Sequence, residues 1–182
     1  MKVYRIRPDR ERYQMIGGVP GFVDRHPPTH AESPSLQEWH PWTLPIERAS
    51  KRRGDFLFFP LEFIVCSTAL TETLRDCLQG DVQILPVNLE GSEDAFCLWN
   101  ISNFVEALDV QKSHFPPALS QAPARWVFQR DAFSRPMLFR DVANPAIPLV
   151  ATGFADESRD FYLRVVKRKL RGLKFEQVWE SG

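Results

Sequence analysis

Alternating apolar and polar positions predict strands at both ends of the chain. Residues 2–7 alternate around Val3 and Ile6, and residues 173–179 alternate in the same way. Further short apolar segments with strand character lie at 55–60, 62–66, 82–89, 96–101, 125–128, 137–140 and 147–150. The pattern therefore predicts a chain that is rich in β-structure.

Two of these segments are separated by a short acidic turn. Glu90-Gly91-Ser92-Glu93-Asp94 joins residues 82–89 to residues 96–101, and glycine, serine and aspartate are typical turn residues. Pro86 lacks a backbone N–H, which favours an edge position or a bulge for the first strand. We predict a hairpin over residues 82–101 with an acidic tip.

Helical spacing of apolar residues appears twice. Over residues 67–79, Ser67 or Thr68 can cap the helix, and Gly80 stands where a helix ends. Over residues 156–171, Asp156 can cap the helix and a basic run at 167–171 suits the negative end of its dipole. The apolar stripe of this second helix comprises Phe161, Tyr162, Val165, Val166 and Leu170.

The segment from 17 to 45 is rich in proline and glycine and predicts irregular structure. It contains Trp39 and Trp42, whose rings we expect to anchor it on the rest of the protein. We therefore predict residues 1–50 as a strand and Pro-rich arm packed on an α+β domain at 51–182, forming one compact unit. The fold class is α+β, with a mixed, mostly antiparallel sheet, two main helices and this irregular N-terminal arm.

Charge is balanced in total and uneven along the chain. The 182 residues carry 23 basic and 23 acidic side chains, which argues against a protein that binds polyanions or anionic lipid over its whole surface. Residues 1–54 sum to +4, residues 55–120 to −8 and residues 121–182 to +4. The acidic block either pairs with its basic flanks or presents an acidic face to a partner, and the sequence leaves both open.

The sequence features that bear on cellular location favour the cytoplasm. Charges interrupt residues 1–7, so they do not form a signal-peptide core, and no apolar run is long enough to span a bilayer. Cys66, Cys77 and Cys97 form no CxxC pair, which favours reduced, buried thiols.

Motifs for catalysis or cofactor binding are sparse. No Gly-x-Ser-x-Gly elbow, phosphate-binding loop or dinucleotide loop occurs, and we predict no cofactor and no metal. His26, His30 and His40, with Asp24 or Glu32, are the best zinc candidates, but Pro27-Pro28 prevents the first two histidines from sharing a helix face. The basic run at 167–171 is interpreted as a helix end rather than a nucleic-acid site.

Several segments, in order, resemble a bacterial family that was formerly a domain of unknown function and is now assigned as immunity proteins of polymorphic toxin systems. The resemblance covers roughly residues 50–180. Its segments are 54–56, 63–67 before the Leu70/Leu74 helix, 85–87, 99–101, Asp109 with Lys112-Ser113, 138–140 and 172–179. It implies a cytoplasmic, non-enzymatic protein that binds and neutralises a cognate toxin encoded nearby.

We place the expected toxin contact on the hairpin. Glu90, Glu93 and Asp94 would steer a cationic partner, and Trp99 would supply an aromatic contact. One alternative is a hydrolase or transferase whose site combines His114 or the arm histidines with a cysteine or a carboxylate. Another is an oligomeric scaffold or regulatory module that buries the Trp39/Trp42 region. A homo-oligomer is compatible with each of these functions.

Overall fold

A computed structural model describes residues 1–21, 39–47, 50–59, 63–115 and 122–182. Within these residues the α+β prediction is confirmed, because strands dominate, pair mostly antiparallel and are accompanied by two α-helices. The strands are β1 Lys2–Pro8, β2 Met15–Ile16, β3 Thr43–Leu44, β4 Ile46–Glu47, β5 Phe56–Phe59, β6 Phe63–Ser67, β7 Val82–Leu89, β8 Phe96–Ile101, β9 Phe104–Val105, β10 Met137–Asp141, β11 Asn144–Thr152 and β12 Leu173–Glu180. The helices are α1 Thr68–Leu78 and α2 Phe161–Lys167.

The strands form two five-stranded sheets rather than the single sheet that we predicted. Sheet A has the order β12-β1-β11-β10-β9, and sheet B has the order β3-β7-β8-β6-β5. Strands β2 and β4 form a separate antiparallel pair, whereas β9 with β10 and β3 with β7 run parallel. Apolar periodicity identifies strands but not their partners, which is why the number of sheets was predicted incorrectly.

The central hydrophobic core lies where both sheets and both helices meet. Trp99 from sheet B, Leu138 and Val150 from sheet A, and Phe161 from α2 belong to this one buried cluster. Since side chains alternate between the faces of a strand, each sheet also has a second apolar face. Leu57 and Leu98 of sheet B join a second cluster, and Phe139 of sheet A joins a third.

Helix α1 follows the prediction closely. The Ser67 hydroxyl accepts a hydrogen bond from the Leu70 N–H at 3.2 Å, which caps the first turn. Gly80 has a φ of 84°, a left-handed conformation that glycine adopts without steric cost just after a helix. Arg159 also donates to the main-chain oxygens of Asp76 and Gln79 near the end of this helix.

Helix α2 is shorter than predicted. Its N-cap is Asp160 rather than Asp156, because the Asp160 carboxylate accepts from the Leu163 N–H at 3.0 Å and from the Thr152 hydroxyl of β11. Asp156 instead accepts from the Ser158 N–H at 2.9 Å in a turn before the helix. Lys169, at a φ of 55°, ends the helical conformation, so the basic run extends beyond the helix.

The predicted strand at 125–128 is wrong. Only isolated bridges occur in this described segment, between His114 and Arg125 and between Leu108 and Phe128. Trp126 and Phe128 are nevertheless buried in the third cluster. The apolar pattern of this segment therefore reflects buried rings on a loop and not a strand.

A buried carboxylate links the two sheets. Asp81 is fully buried just before β7 in sheet B, and its side chain accepts from the Leu138 N–H of sheet A at 3.0 Å. Its other donors are the Asn103 amide and the Arg135 guanidinium, both at 3.1 Å. No local pattern in the sequence indicates this group, because its donors come from segments more than 20 residues away.

Candidate functional site

The hairpin forms as predicted. Strands β7 and β8 pair antiparallel from Val82 opposite Ile101 to Val87 opposite Phe96. Within the turn, Gly91 has a φ of 70°, and the Ser92 N–H donates to the Leu89 carbonyl at 3.1 Å. The candidate acidic residues thus lie on a closed turn between two long strands.

Backbone hydrogen bonds attach the tip to other parts of the protein. The Glu90 N–H donates to the Leu44 carbonyl at 3.0 Å, and the Asn88 N–H donates to the Trp42 carbonyl at 2.9 Å. The pairing of β7 with β3 begins only at Asn88, and the Trp39 indole N–H donates to the Pro86 carbonyl at 2.8 Å. Pro86 therefore occupies an edge position, as its missing N–H predicts.

The three carboxylates of the tip are exposed to solvent. Glu90 and Glu93 are exposed, and the Asp94 side chain retains 74% of its accessible surface. Asp94 lies 3.9 Å from the guanidinium of Arg53, which also sits over the Phe96 ring at 5.6 Å from its centre. The negative charge of the tip is thus balanced at Asp94 by a neighbouring cation from the N-terminal basic block.

Trp99 does not belong to this surface. It is fully buried in the central core, and its ring packs edge-on against Phe56 and Phe161 at centroid distances of 5.7 and 5.9 Å. Its indole N–H donates to the Thr71 hydroxyl at 3.1 Å. The expectation that Trp99 contacts a partner is therefore corrected, because the two helices cover the face of β8 on which this side chain lies.

The acidic central block is partly paired and partly exposed. Asp81 pairs with Arg135 and Asp94 with Arg53, so two of its carboxylates reach the basic flanks. Other carboxylates pair within the block. Arg75 hydrogen-bonds Glu72, and Lys112 hydrogen-bonds Asp109, which lowers the pKa of each carboxyl. Some carboxylates of the block thus pair with the basic flanks, and others, such as Glu90 and Glu93, are exposed to solvent.

The three cysteines are free and buried, as predicted. Burial raises the pKa of the Cys66 thiol, and desolvation likewise raises that of Cys77. A raised pKa disfavours the thiolate that nucleophilic catalysis needs. His114 is exposed beside Phe115 of the third cluster, whereas the three thiols belong to the central cluster.

A cavity of about 890 Å³ opens along β1 and β12 of sheet A. Its cationic lining comes from Arg5, Arg7, Arg10 and Lys174, and among the described lining residues there is neither a histidine nor a cysteine. Nearby carboxylates engage two of these cations: Arg7 lies 3.3 Å from Glu176, and Lys174 lies 3.1 Å from Glu11.

Of the zinc candidates, Asp24, His26, His30 and Glu32 lie outside the described residues. His40 is described and exposed. Across the described ranges, no group of three or more histidine, cysteine, aspartate or glutamate side chains is arranged to hold a metal ion. In the same ranges, no helix has both the length and the apolar character needed to span a membrane.

Two distant segments of the family resemblance meet in space. The Asp55 carboxylate accepts from the Arg171 N–H at 2.6 Å, and the Phe56 N–H donates to the Arg171 carbonyl at 3.0 Å. Gly172 has a φ of 109° and packs directly against the backbone of Phe56. These contacts hold β5 to the start of β12.

The chain matches no model of a known protein family and no curated protein.

Proposed function

We propose that this chain is a non-enzymatic immunity protein that binds a cognate bacterial toxin and blocks it by covering the toxin's active or entry surface. The observation that supports it most directly is the acidic tip between β7 and β8. There, Glu90 and Glu93 are exposed on a turn whose flanks are hydrogen-bonded to other parts of the protein. A charged surface held in one geometry favours rapid and specific association with a partner of opposite charge.

The chemistry of the tip specifies the partner's surface. Carboxylates attract a surface rich in lysine and arginine, and such surfaces are typical of proteins that act on nucleic acids or anionic membranes. With Trp99 buried, we assign the aromatic contact to Trp42, which is partly exposed and whose carbonyl accepts from Asn88 at the end of β7. Tryptophan is enriched in binding hot spots, where contact with the partner removes it from water.

Co-expression tests the proposed function. The product of the adjacent gene, produced alone in a bacterial host, is expected to stop growth, and this chain is expected to restore growth and to co-purify with that product. The matched comparison is co-expression with the Gly172→Ala variant, which we expect to be less stable and therefore to restore growth less well. Growth arrest that this chain does not relieve, with no complex recovered, would contradict the proposal.

Charge reversal tests the assigned surface separately. The double variant Glu90→Lys/Glu93→Lys is expected to slow association with the toxin by about tenfold or more at low salt, with a smaller effect at high salt, because steering is electrostatic. The measurement is the association rate by surface plasmon resonance at two ionic strengths.

The matched control is Glu106→Lys/Asp131→Lys, which changes the net charge equally at two other exposed acids. If both double variants slow association to the same extent, net charge alone is responsible and the tip is not the contact. An unchanged rate in the Glu90/Glu93 variant would equally remove the tip from the interface.

A further inference from the structure

Among the strands that the structure describes, β12 is an edge of sheet A. It is hydrogen-bonded to β1 on one side, and it runs for eight residues, whereas β9 at the opposite edge has two. An edge strand presents a row of unpaired backbone N–H and C=O groups that can bind another strand. The length of β12 makes it the more extensive of the two edges.

The register with β1 identifies which backbone groups face outward. The Asp9 N–H donates to the Gly172 carbonyl at 3.0 Å, so these two residues form a hydrogen-bonded pair just before β12. Hydrogen-bonded pairs recur every second residue in an antiparallel ladder, which assigns the inward groups to Lys174 and Glu176. The outward residues are Leu173, Phe175 and Gln177.

This open segment ends at a bulge. The register between β1 and β12 shifts after Gln177, leaving Val178 without an opposite residue, and bulges commonly terminate strand pairing. Within the part of the chain that the structure describes, no backbone hydrogen bond outside the β1 ladder reaches residues 173–177. The available edge is therefore a five-residue segment with a defined set of outward groups.

We propose that this segment pairs with the same segment of a second copy of the chain, antiparallel about a two-fold axis at Phe175. In this register Leu173 faces Gln177 of the second copy, and all three outward residues of each strand pair. About six new backbone hydrogen bonds form. Sheet A of one copy then joins sheet A of the other into one sheet of ten strands.

Charge complementarity selects this register. With the axis at Phe175, Lys174 lies directly opposite Glu176 of the second copy, and the symmetry creates this attractive pair twice. Moving the axis by one residue places Lys174 opposite Lys174, or Glu176 opposite Glu176. Opposite charges across strands stabilise pairing and like charges destabilise it, so of these three registers only the one centred on Phe175 is complementary.

The outward-facing residues also offer apolar surface to cover. Phe175 is partly buried and packs edge-on against Tyr162 at 5.0 Å and Tyr4 at 6.5 Å between ring centres. At the two-fold axis, the two Phe175 residues form a directly opposed, hydrogen-bonded pair. The aromatic rings then continue from one copy to the other across the joined sheet.

The first test is the mass in solution. The wild-type chain is expected to reach about 42 kDa, twice the 21.0 kDa of one copy, with a concentration-dependent monomer fraction in sedimentation equilibrium. Glu176→Lys places lysines opposite each other, and Lys174→Glu places glutamates opposite each other. Each variant alone is expected to weaken dimerisation by about tenfold or more.

Mixing the two variants provides the decisive experiment. In a mixed dimer, Lys174 of one chain faces Glu176 of the other, and the introduced lysine faces the introduced glutamate. Both pairs are attractive again, so a mixed dimer is expected to form. Native mass spectrometry measures its fraction. Lys167→Glu, at another exposed lysine, is the matched control and should dimerise as the wild type does. Thermal unfolding of every variant shows that it is folded.

A wild-type chain that stays monomeric up to its solubility limit would overturn the proposal. So would a dimer that survives both single variants, because its interface would then lie elsewhere. Two folded variants that stay monomeric when mixed would exclude this register.

Discussion

Replacing Gly172 by alanine is expected to destabilise the protein by about 3 kcal/mol or more. Gly172 has a φ of 109°, where an L side chain is strained, and a Cβ atom at this position would overlap the carbonyl oxygen of Phe56. That oxygen belongs to the backbone of β5 and cannot rotate away. Urea unfolding monitored by tryptophan fluorescence measures the loss.

Gly91→Ala is the matched control for the conformational part of this effect. Gly91 also has a positive φ, of 70°, but nothing lies within 4 Å of a Cβ atom built there. Its variant is expected to lose about 1 kcal/mol from backbone strain alone. Equal losses in the two variants would contradict the close packing of Gly172 on Phe56.

Replacing Trp99 by alanine is expected to cost about 3–5 kcal/mol of folding free energy. The side chain is fully buried where sheet B meets α2, and its removal leaves a cavity between Phe56 and Phe161. Chemical unfolding gives the change in stability. Affinity for the proposed toxin, normalised to the folded fraction, is expected to stay at the wild-type value, since Trp99 has no exposed surface for a partner.

Trp99→Phe separates packing from hydrogen bonding. It keeps an aromatic ring in the core and removes the N–H donor to Thr71, so a loss of about 1–3 kcal/mol is expected. A stability loss in Trp99→Ala no larger than in Trp99→Phe would mean that the cavity is filled by relaxation of the core. Reduced toxin affinity of fully folded Trp99→Phe would restore Trp99 as a contact residue.

Local sequence signals predicted those elements whose stability is local. Helix α1 has its cap, apolar spacing and terminal glycine within 14 residues, so its ends are correct to within one residue. The hairpin carries its own turn and alternation, and its acidic tip lies where predicted. The predicted start of helix α2 was wrong because the N-cap is Asp160, which also accepts a hydrogen bond from Thr152 of β11, and not Asp156.

The residues of the candidate site also fall into those that local sequence predicts and those that depend on distant segments. Exposure of Glu90, Glu93 and Asp94 follows from their place in a polar turn, which sequence predicts well. Whether Trp99 faces a partner or the core depends on which face of β8 is covered. That face is covered by α1 and α2, from segments that the pattern of β8 does not contain.

The sequence by itself determined the α+β class, the positions of most strands, the hairpin with its acidic tip and the burial of the three cysteines. Each depends on the period of apolar residues or on residues adjacent in the chain. Only the tertiary structure decided that the strands form two five-stranded sheets, that Asp81 links them, and that β12 lies at the edge of the described sheet A. Those features depend on contacts between distant segments. Strands pair through backbone groups that are the same for every residue type except proline, and the donors to Asp81 lie more than 20 residues away.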